Sequence, residues 1–192
     1  MRRLISLTLA LLLTLLPFSA LAEGDETAPV QALADFVQST LDQDGDLLYE
    51  AYEDYNTYGL LFEAEDNRLG DIIAYLDVYN SGILVQACYE QSAPADRLDE
   101  IARFMAMVNA ELLGSKYYLY YESGSIIYEI FLFMDFTDVA ALDQTAQATL
   151  LDFLFSVVDE IDYDVEYFVE IIGGETAENV YAMYIADLDQ YE

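Results

Sequence analysis

The acidic residues around position 42 have the spacing of a calcium-binding loop. Asp42, Asp44 and Asp46 stand at alternate positions, and Glu53 follows Asp42 by eleven residues. In an EF-hand loop, acidic side chains at positions 1, 3 and 5 and a bidentate glutamate at position 12 bind the ion. Position 6, where that loop turns sharply on a glycine, is Leu47, and a left-handed conformation there costs roughly 1–2 kcal/mol. We therefore favour a solvated Asp-Gly turn and keep calcium binding as the alternative.

Other acidic groupings are less specific. The acidic run has as its members Asp159, Glu160, Asp162, Asp164 and Glu166. It fits either a cation site of low affinity or charge repulsion that breaks the long helix, and we favour a simple hydrated helix face. Two carboxylates on either side of a scissile bond could also hydrolyse a glycoside. With 37 acidic residues in the chain, some pair will always have a suitable separation, so spacing identifies none of them.

The composition excludes most other chemistry. The 192 residues include no histidine, which removes His-based zinc sites, Ser-His-Asp triads and histidine pH switches. A net charge of −31 opposes a phosphate backbone, and no basic patch offsets that charge, so we expect no nucleic-acid partner. We predict a protein that is not an enzyme and that holds no cofactor.

The single cysteine, Cys88, lies at the end of the apolar stretch 83–88. One cysteine cannot form an intramolecular disulfide. We favour a thiol that packs as a small apolar side chain, and the alternative is a reactive thiol or an intermolecular disulfide.

Tyrosine is the most informative residue type in this sequence. The chain has 17 tyrosines, and four of them crowd one predicted strand, so both faces of that strand carry rings. One face must pack on helices, while the other is exposed or covered by a partner. Which alternate pair faces outward is left open, and cross-strand pairing that only stabilises the sheet is the alternative. The candidate partner-binding residues are Tyr117, Tyr118, Tyr120, Tyr121 and Tyr128.

The hydrophobic periodicity predicts the elements that position these residues. Helical spacing and strand-like alternation follow one another in the order helix, three strands, helix, two strands, helices. We predict an α+β fold, with a single antiparallel-rich sheet of about five strands and helices packed on one face. The predicted helices span 30–41, 94–112 and 138 onward, with breaks near 162 and 173, and the strands span 58–65, 71–79, 83–90, 116–122 and 125–135.

Residues 1–22 have the pattern of a signal peptide. Arg2 and Arg3 precede an apolar run from Leu4 to Leu16, and small residues end the segment at Ala22. The apolar run is shorter than the roughly 20 residues that span a bilayer, so we favour a cleaved signal peptide over an uncleaved membrane anchor. After cleavage we expect no stable membrane insertion. Residues 23–192 are then a single secreted or extracytoplasmic domain, with a C-terminal helical extension from about residue 175.

Several short motifs lie along the predicted elements: Asn109, Leu113-Gly114, the tyrosine-rich strand, Gly124, Ile126-Ile127-Tyr128 and Ile171-Ile172-Gly173-Gly174. Together with the order of elements, these motifs resemble the YbjN-type domain family. Members of that family are described as bacterial sensory transduction regulators, and their fold resembles the small, acidic, usually dimeric chaperones of type III secretion systems. The resemblance covers roughly residues 30–182 and implies a homodimer or another protein partner.

Two functions are therefore expected from the sequence. The first is a secreted, non-enzymatic binding or regulatory module, YbjN-like and chaperone-like, that engages an unidentified protein partner through apolar and tyrosine-rich surface. The alternative is an extracellular acidic protein that responds to calcium or another cation through the loop from Asp42 to Glu53.

The signal-peptide assignment predicts the mature N-terminus. Mass spectrometry of the exported protein should find Glu23 as its first residue, because cleavage is expected after the small residue Ala22. An exported protein that retains Met1 would contradict the assignment and would indicate a membrane tether.

Overall fold

The computed structural model describes residues 27–52, 55–64, 66–133 and 143–188. Within these ranges the chain has the predicted α+β fold, with one open antiparallel sheet of six strands. The signal-peptide segment lies outside the described residues. The elements are α1 (Thr27–Gln43), β1 (Tyr49–Tyr52), β2 (Thr57–Phe62), β3 (Ile72–Tyr79), β4 (Gly82–Tyr89), α2 (Leu98–Val108), β5 (Ser115–Tyr120), β6 (Ser125–Phe133), α3 (Gln144–Tyr163), α4 (Val165–Gly173) and α5 (Ala177–Leu188).

The sheet has the order β1-β2-β3-β4-β6-β5, and each neighbouring pair is antiparallel. The prediction of about five strands missed β1, which is only four residues long and alternates too briefly to indicate a strand. After β4 the chain passes through α2, so that β6 pairs with β4 and β5 becomes an edge strand.

One face of the sheet is buried beneath the helices. Its apolar side chains, such as Leu76 and Val85, are fully inaccessible to solvent. Tyrosine hydroxyls on the same face bond to helix backbone: Tyr58 donates to the carbonyl of Ala34 in α1 at 2.8 Å, and Tyr89 donates to a carbonyl in α3. These hydroxyl bonds satisfy polar groups that would otherwise be buried without a partner.

Helix α2 begins later than the sequence indicates. The prediction placed its start near Pro94, but the turn before Leu98 is closed by a hydrogen bond from the Arg97 amide to the Pro94 carbonyl at 2.9 Å. The Arg97 guanidinium extends to the end of α4, where it donates to the carbonyls of Ile171 at 2.7 Å and Glu175 at 2.6 Å. Carbonyls at a helix C-terminus lack partners within the helix, so this arginine ties α2 to α4.

The C-terminal helices follow the predicted breaks. The long helix α3 ends where Asp164 separates it from α4, within the break predicted near residue 162. Gly174 adopts a left-handed conformation with φ of 119° and ends α4. Helix α5 packs against α2 and α4, and it buries Ala177 and Tyr184 in the core that the other elements share. None of the described helices is both long enough and apolar enough to cross a membrane.

The free edge of β5 is closed by a side chain. The Asn109 amide donates from Nδ2 to the Tyr117 carbonyl and accepts at Oδ1 from the Tyr117 backbone N–H, both at 2.7 Å. Asn109 lies directly after α2, so its amide joins the end of that helix to the middle of the edge strand. The two bonds satisfy backbone groups of Tyr117 that do not face β6.

The turn between β5 and β6 depends on Gly124, which has φ of 75° and packs closely against Ala93. A Cβ atom at this position would lie 2.4 Å from the Ala93 carbonyl oxygen. We expect Gly124→Ala to lower the free energy of unfolding by roughly 2–5 kcal/mol, since backbone strain and overpacking both oppose it. Urea unfolding followed by circular dichroism measures the change.

Gly114→Ala is the matched control for this variant. Gly114 also has a positive φ, of 89°, but apart from its two chain neighbours no described residue lies within 4 Å of a Cβ built there. The control should lose only the roughly 1–2 kcal/mol of backbone strain. Equal losses in the two variants would show that the contact with Ala93 contributes nothing.

Candidate functional site

The face of the sheet that points away from the helices, which we call the open face, is rich in apolar and aromatic side chains. The antiparallel register places its members side by side; for example, Cys88 on β4 lies between Ile73 on β3 and Ile127 on β6. Its apolar and aromatic members are Tyr52, Leu61, Ile73, Tyr75, Tyr79, Leu84, Cys88, Tyr118, Tyr120, Ile127, Phe131 and Phe133.

Three rings on the open face form what we call the aromatic cluster: Tyr79, Phe131 and Phe133. The ring centroids of Phe131 and Phe133 are 4.7 Å apart, and those of Tyr79 and Phe131 are 6.3 Å apart. Phe133 is 80% exposed and Tyr79 is 42% exposed. Large apolar groups that lie together in solvent are typical of interaction surfaces, whereas single exposed ones are not informative.

The charges on the open face are mainly negative. The Glu129 carboxylate accepts from the Lys116 ammonium at 2.8 Å and from the Gln86 amide at 2.9 Å. Asp77 accepts from the Thr57 hydroxyl at 2.6 Å, and burial raises the pKa of this carboxyl above its usual value. With its one lysine already paired, the open face has no free positive charge among the residues that the structure describes.

The structure decides which predicted tyrosines face outward. Tyr118 and Tyr120 lie on the open face, and Tyr121 is exposed in the turn that follows β5. Tyr117 and Tyr128 lie on the opposite face with their ring centroids 4.8 Å apart, and both are buried. These two rings stabilise the core by cross-strand pairing, so Tyr117 and Tyr128 do not belong to an accessible surface.

The aromatic cluster is not among the predicted site residues, which centre on the tyrosine-rich strand. Phe131 and Phe133 nevertheless alternate with Ile130 and Leu132 in the following strand. This pattern could have indicated the cluster, because a strand with apolar residues on both faces is expected to make contacts on both faces. Tyr79 joins the cluster only through the pairing of β3 with β4, which a single sequence does not display.

The candidate calcium loop is arranged as a turn. Asp44 accepts a hydrogen bond at Oδ1 from the Asp46 backbone N–H at 3.2 Å, and Asp42 accepts one from the Tyr49 hydroxyl. No group of three acidic or cysteine side chains in the described part of the chain could hold a metal ion. Glu53, the proposed closing ligand, lies outside the described residues, so calcium binding stays a prediction.

The second acidic run does not form one site. Asp162 accepts from the Asn67 amide at 2.6 Å, and Glu166 pairs with Arg68 at 3.4 Å near the surface. Asp164, between them, is buried and points into the core. These carboxylates therefore have separate surroundings, and the run is neither a uniform hydrated face nor a common cation site.

No protein-family model matches the chain, and neither a curated protein nor a solved structure does. The resemblance to the YbjN-type family therefore stays a prediction. The geometry of the open face is the observation from which a function can be proposed.

The position of Cys88 on the open face predicts low reactivity. Its thiol is partly buried, and desolvation raises its pKa from 9.0 to about 12. Because the thiolate is the reactive form, we expect iodoacetamide at pH 8 to alkylate the folded protein at least roughly 100-fold more slowly than the urea-unfolded protein. Intact-mass spectrometry measures this rate, and every adduct reports Cys88, the one cysteine in the sequence. Equal rates would indicate a reactive thiol instead.

Proposed function

We propose that this chain is an exported, non-enzymatic binding or regulatory module that holds a protein partner on the open face of its sheet. The observation that carries the proposal is the aromatic cluster, in which Phe133 is 80% exposed beside Phe131 and Tyr79. Aromatic side chains are enriched at protein interfaces because they offer a large, rigid contact area. Tyr118, which is 39% exposed on β5, extends the same face toward the other edge of the sheet.

The partner that suits this face combines apolar and cationic side chains. The apolar side chains would cover the aromatic cluster. Each Å² of apolar surface that is removed from water there favours association by about 25 cal/mol. Cationic side chains would complement a chain with a net charge of −31, whose acidic surface attracts positive charge over a distance of about 10 Å at 0.1 M salt. An amphipathic basic segment of another protein is therefore the proposed occupant.

A second copy of the chain suits the open face less well. It would bring Glu129 and Asp77 against another face with the same excess of negative charge. Like charges that approach at an interface cost free energy unless cations lie between them. The homodimer implied by the family resemblance is thus a competing outcome, and light scattering after size-exclusion chromatography distinguishes the two arrangements.

The residue types support a role without catalysis. The chain contains no histidine, and burial makes the thiolate of its one cysteine unfavourable at neutral pH. The resemblance to the YbjN-type family favours the same class of function, since it implies regulators and chaperone-like proteins. The signal-peptide pattern of residues 1–22 favours a partner outside the cytoplasm.

Two sets of synthetic peptides test the proposed occupant. Both sets share the same apolar residues, but one carries lysine and arginine and the other carries glutamate and aspartate. We expect the basic set to bind the mature protein, with an affinity that falls as salt is added, because added ions screen the attraction. Fluorescence anisotropy of labelled peptides measures the binding. Equal binding of the acidic set, or no binding by either set, would contradict the proposal.

Substitutions on the open face locate the binding site. The double variant Phe133→Ser and Tyr118→Ser should weaken peptide binding by at least roughly tenfold, because it removes exposed ring area from the contact. Leu113→Ser is the matched control, since Leu113 is 97% exposed in the connection between α2 and β5. An equal loss in the control would assign binding to another surface.

A further inference from the structure

Asp164 occupies the joint between α3 and α4 and is only 3% exposed. Its backbone amide donates to the Glu160 carbonyl at 3.1 Å, and its own carbonyl accepts from the Tyr167 amide at 3.1 Å. The backbone of this residue is therefore bonded to both helices, while its buried side chain reaches Tyr117 in the core.

The Asp164 carboxyl group has few hydrogen-bond partners. Oδ2 accepts a hydrogen bond from the Tyr117 hydroxyl of β5 at 2.7 Å, while Oδ1 is buried without a hydrogen-bond partner among the described residues. A buried ionised carboxylate is stable only when several donors or a cation compensate for its lost hydration. One hydrogen bond from a tyrosine hydroxyl replaces only a small part of the hydration that an ionised Asp164 would lose.

No basic side chain in the described part of the chain supplies the missing charge. Each of the four basic residues there has partners elsewhere, on carboxylates or helix-end carbonyls. Arg68 pairs with Glu166, Arg97 bonds to the carbonyls of Ile171 and Glu175, Arg103 pairs with Glu100 and Glu178, and Lys116 pairs with Glu129.

The titratable groups around Asp164 add no positive charge either. They come from β4, β5, β6, α3, α4 and α5, and they are acids or phenols. They are Tyr89 on β4, Tyr117 on β5, Tyr128 on β6, Glu160 on α3, Tyr167 on α4 and Tyr184 on α5.

These surroundings favour the neutral acid. Burial raises the pKa of Asp164 from 3.8 to about 7, although the hydrogen bond from Tyr117 acts in the opposite direction, and the charge of Glu160 adds to the increase. The increase in pKa agrees with the geometry, because only one of the two buried carboxyl oxygens accepts a hydrogen bond and the charged form is therefore poorly stabilised.

We propose that Asp164 is a proton-controlled joint: it packs as a neutral acid where α3, α4 and β5 meet, and loss of its proton weakens their packing. This inference is independent of the open face and of any partner. It makes the contribution of Asp164 to the free energy of unfolding largest in acidic surroundings.

The sign of the pH dependence follows from the proton count. Between the ordinary pKa of 3.8 and the folded value of about 7, the folded state binds a proton that the unfolded state has lost. Stability from this group is therefore fully present below the lower value, and it is lost as the pH rises through the upper one. Other carboxylates also lower stability as they ionise together, so the contribution of Asp164 must be isolated by substitution.

The test is urea unfolding of the wild type and of Asp164→Asn at pH 5 and pH 8. The neutral amide cannot lose a proton, so this variant should lack the Asp164 component of the pH dependence. We expect the wild-type unfolding equilibrium constant to rise between the two pH values by roughly 10- to 100-fold more than that of the variant. Asp159→Asn, which alters an exposed carboxylate of the same helix, should behave as the wild type.

Carbon-13 NMR of the side-chain carboxyl groups in the wild type tests the proposal even if the variant does not fold. The Asp164 resonance should titrate with a midpoint near pH 7, and in Tyr117→Phe the midpoint should rise further because a donor to the charged form is lost. A midpoint near pH 4, or equal pH dependence of the wild type and Asp164→Asn, would overturn the proposal.

Discussion

The one-sided burial of a single sheet is the constraint on which the rest of the structure depends. Alternating side chains send Leu76, Val85 and Tyr89 into a core shared with the helices, while their neighbours in each strand enter the open face. Because the described helices occupy one side only, polar groups on that side depend on partners within the core, and Oδ1 of Asp164 lacks one among the described residues. Tyr58 and Tyr89 find such partners by donating to helix carbonyls. The open face presents rings and acids together, and it also holds the Tyr75 hydroxyl, which is buried without a hydrogen-bond partner among the described residues.

Much of this fold could be predicted because its signals are local. Strand alternation and the break near Asp164 are patterns within a few residues, and the structure places β3, β4 and α4 close to the predicted bounds. Helix α3 begins at Gln144, later than the predicted start at residue 138, because the Asp143 side chain caps it there. The four residues of β1 were too few for a periodicity. The start of α2 was misplaced because Pro94 suits both the first turn of a helix and an ordinary turn, and only the hydrogen bond from Arg97 distinguishes them.

The candidate site was less accessible to sequence reasoning. Counting tyrosines identified the strand 115–120, but the face of each ring depends on register with β6, which places Tyr118 opposite Ile127 and Tyr117 opposite Tyr128. The aromatic cluster joins β3 to β6 across β4, so no window of the sequence contains it. The burial of Asp164 could not be predicted, for a different reason. This residue lies in a dense acidic run, and composition gives no means of separating one buried carboxylate from its exposed neighbours.

The Asn109 amide has a consequence for how these molecules behave together. An edge strand with unpaired backbone groups is a template onto which another chain can add a strand, and repeated addition produces fibres. By bonding to both backbone groups of Tyr117, Asn109 takes the place that an incoming strand would need at the centre of β5. The sheet therefore terminates at its tyrosine-rich edge, and a protein with so many aromatic side chains is protected there from edge-to-edge polymerisation.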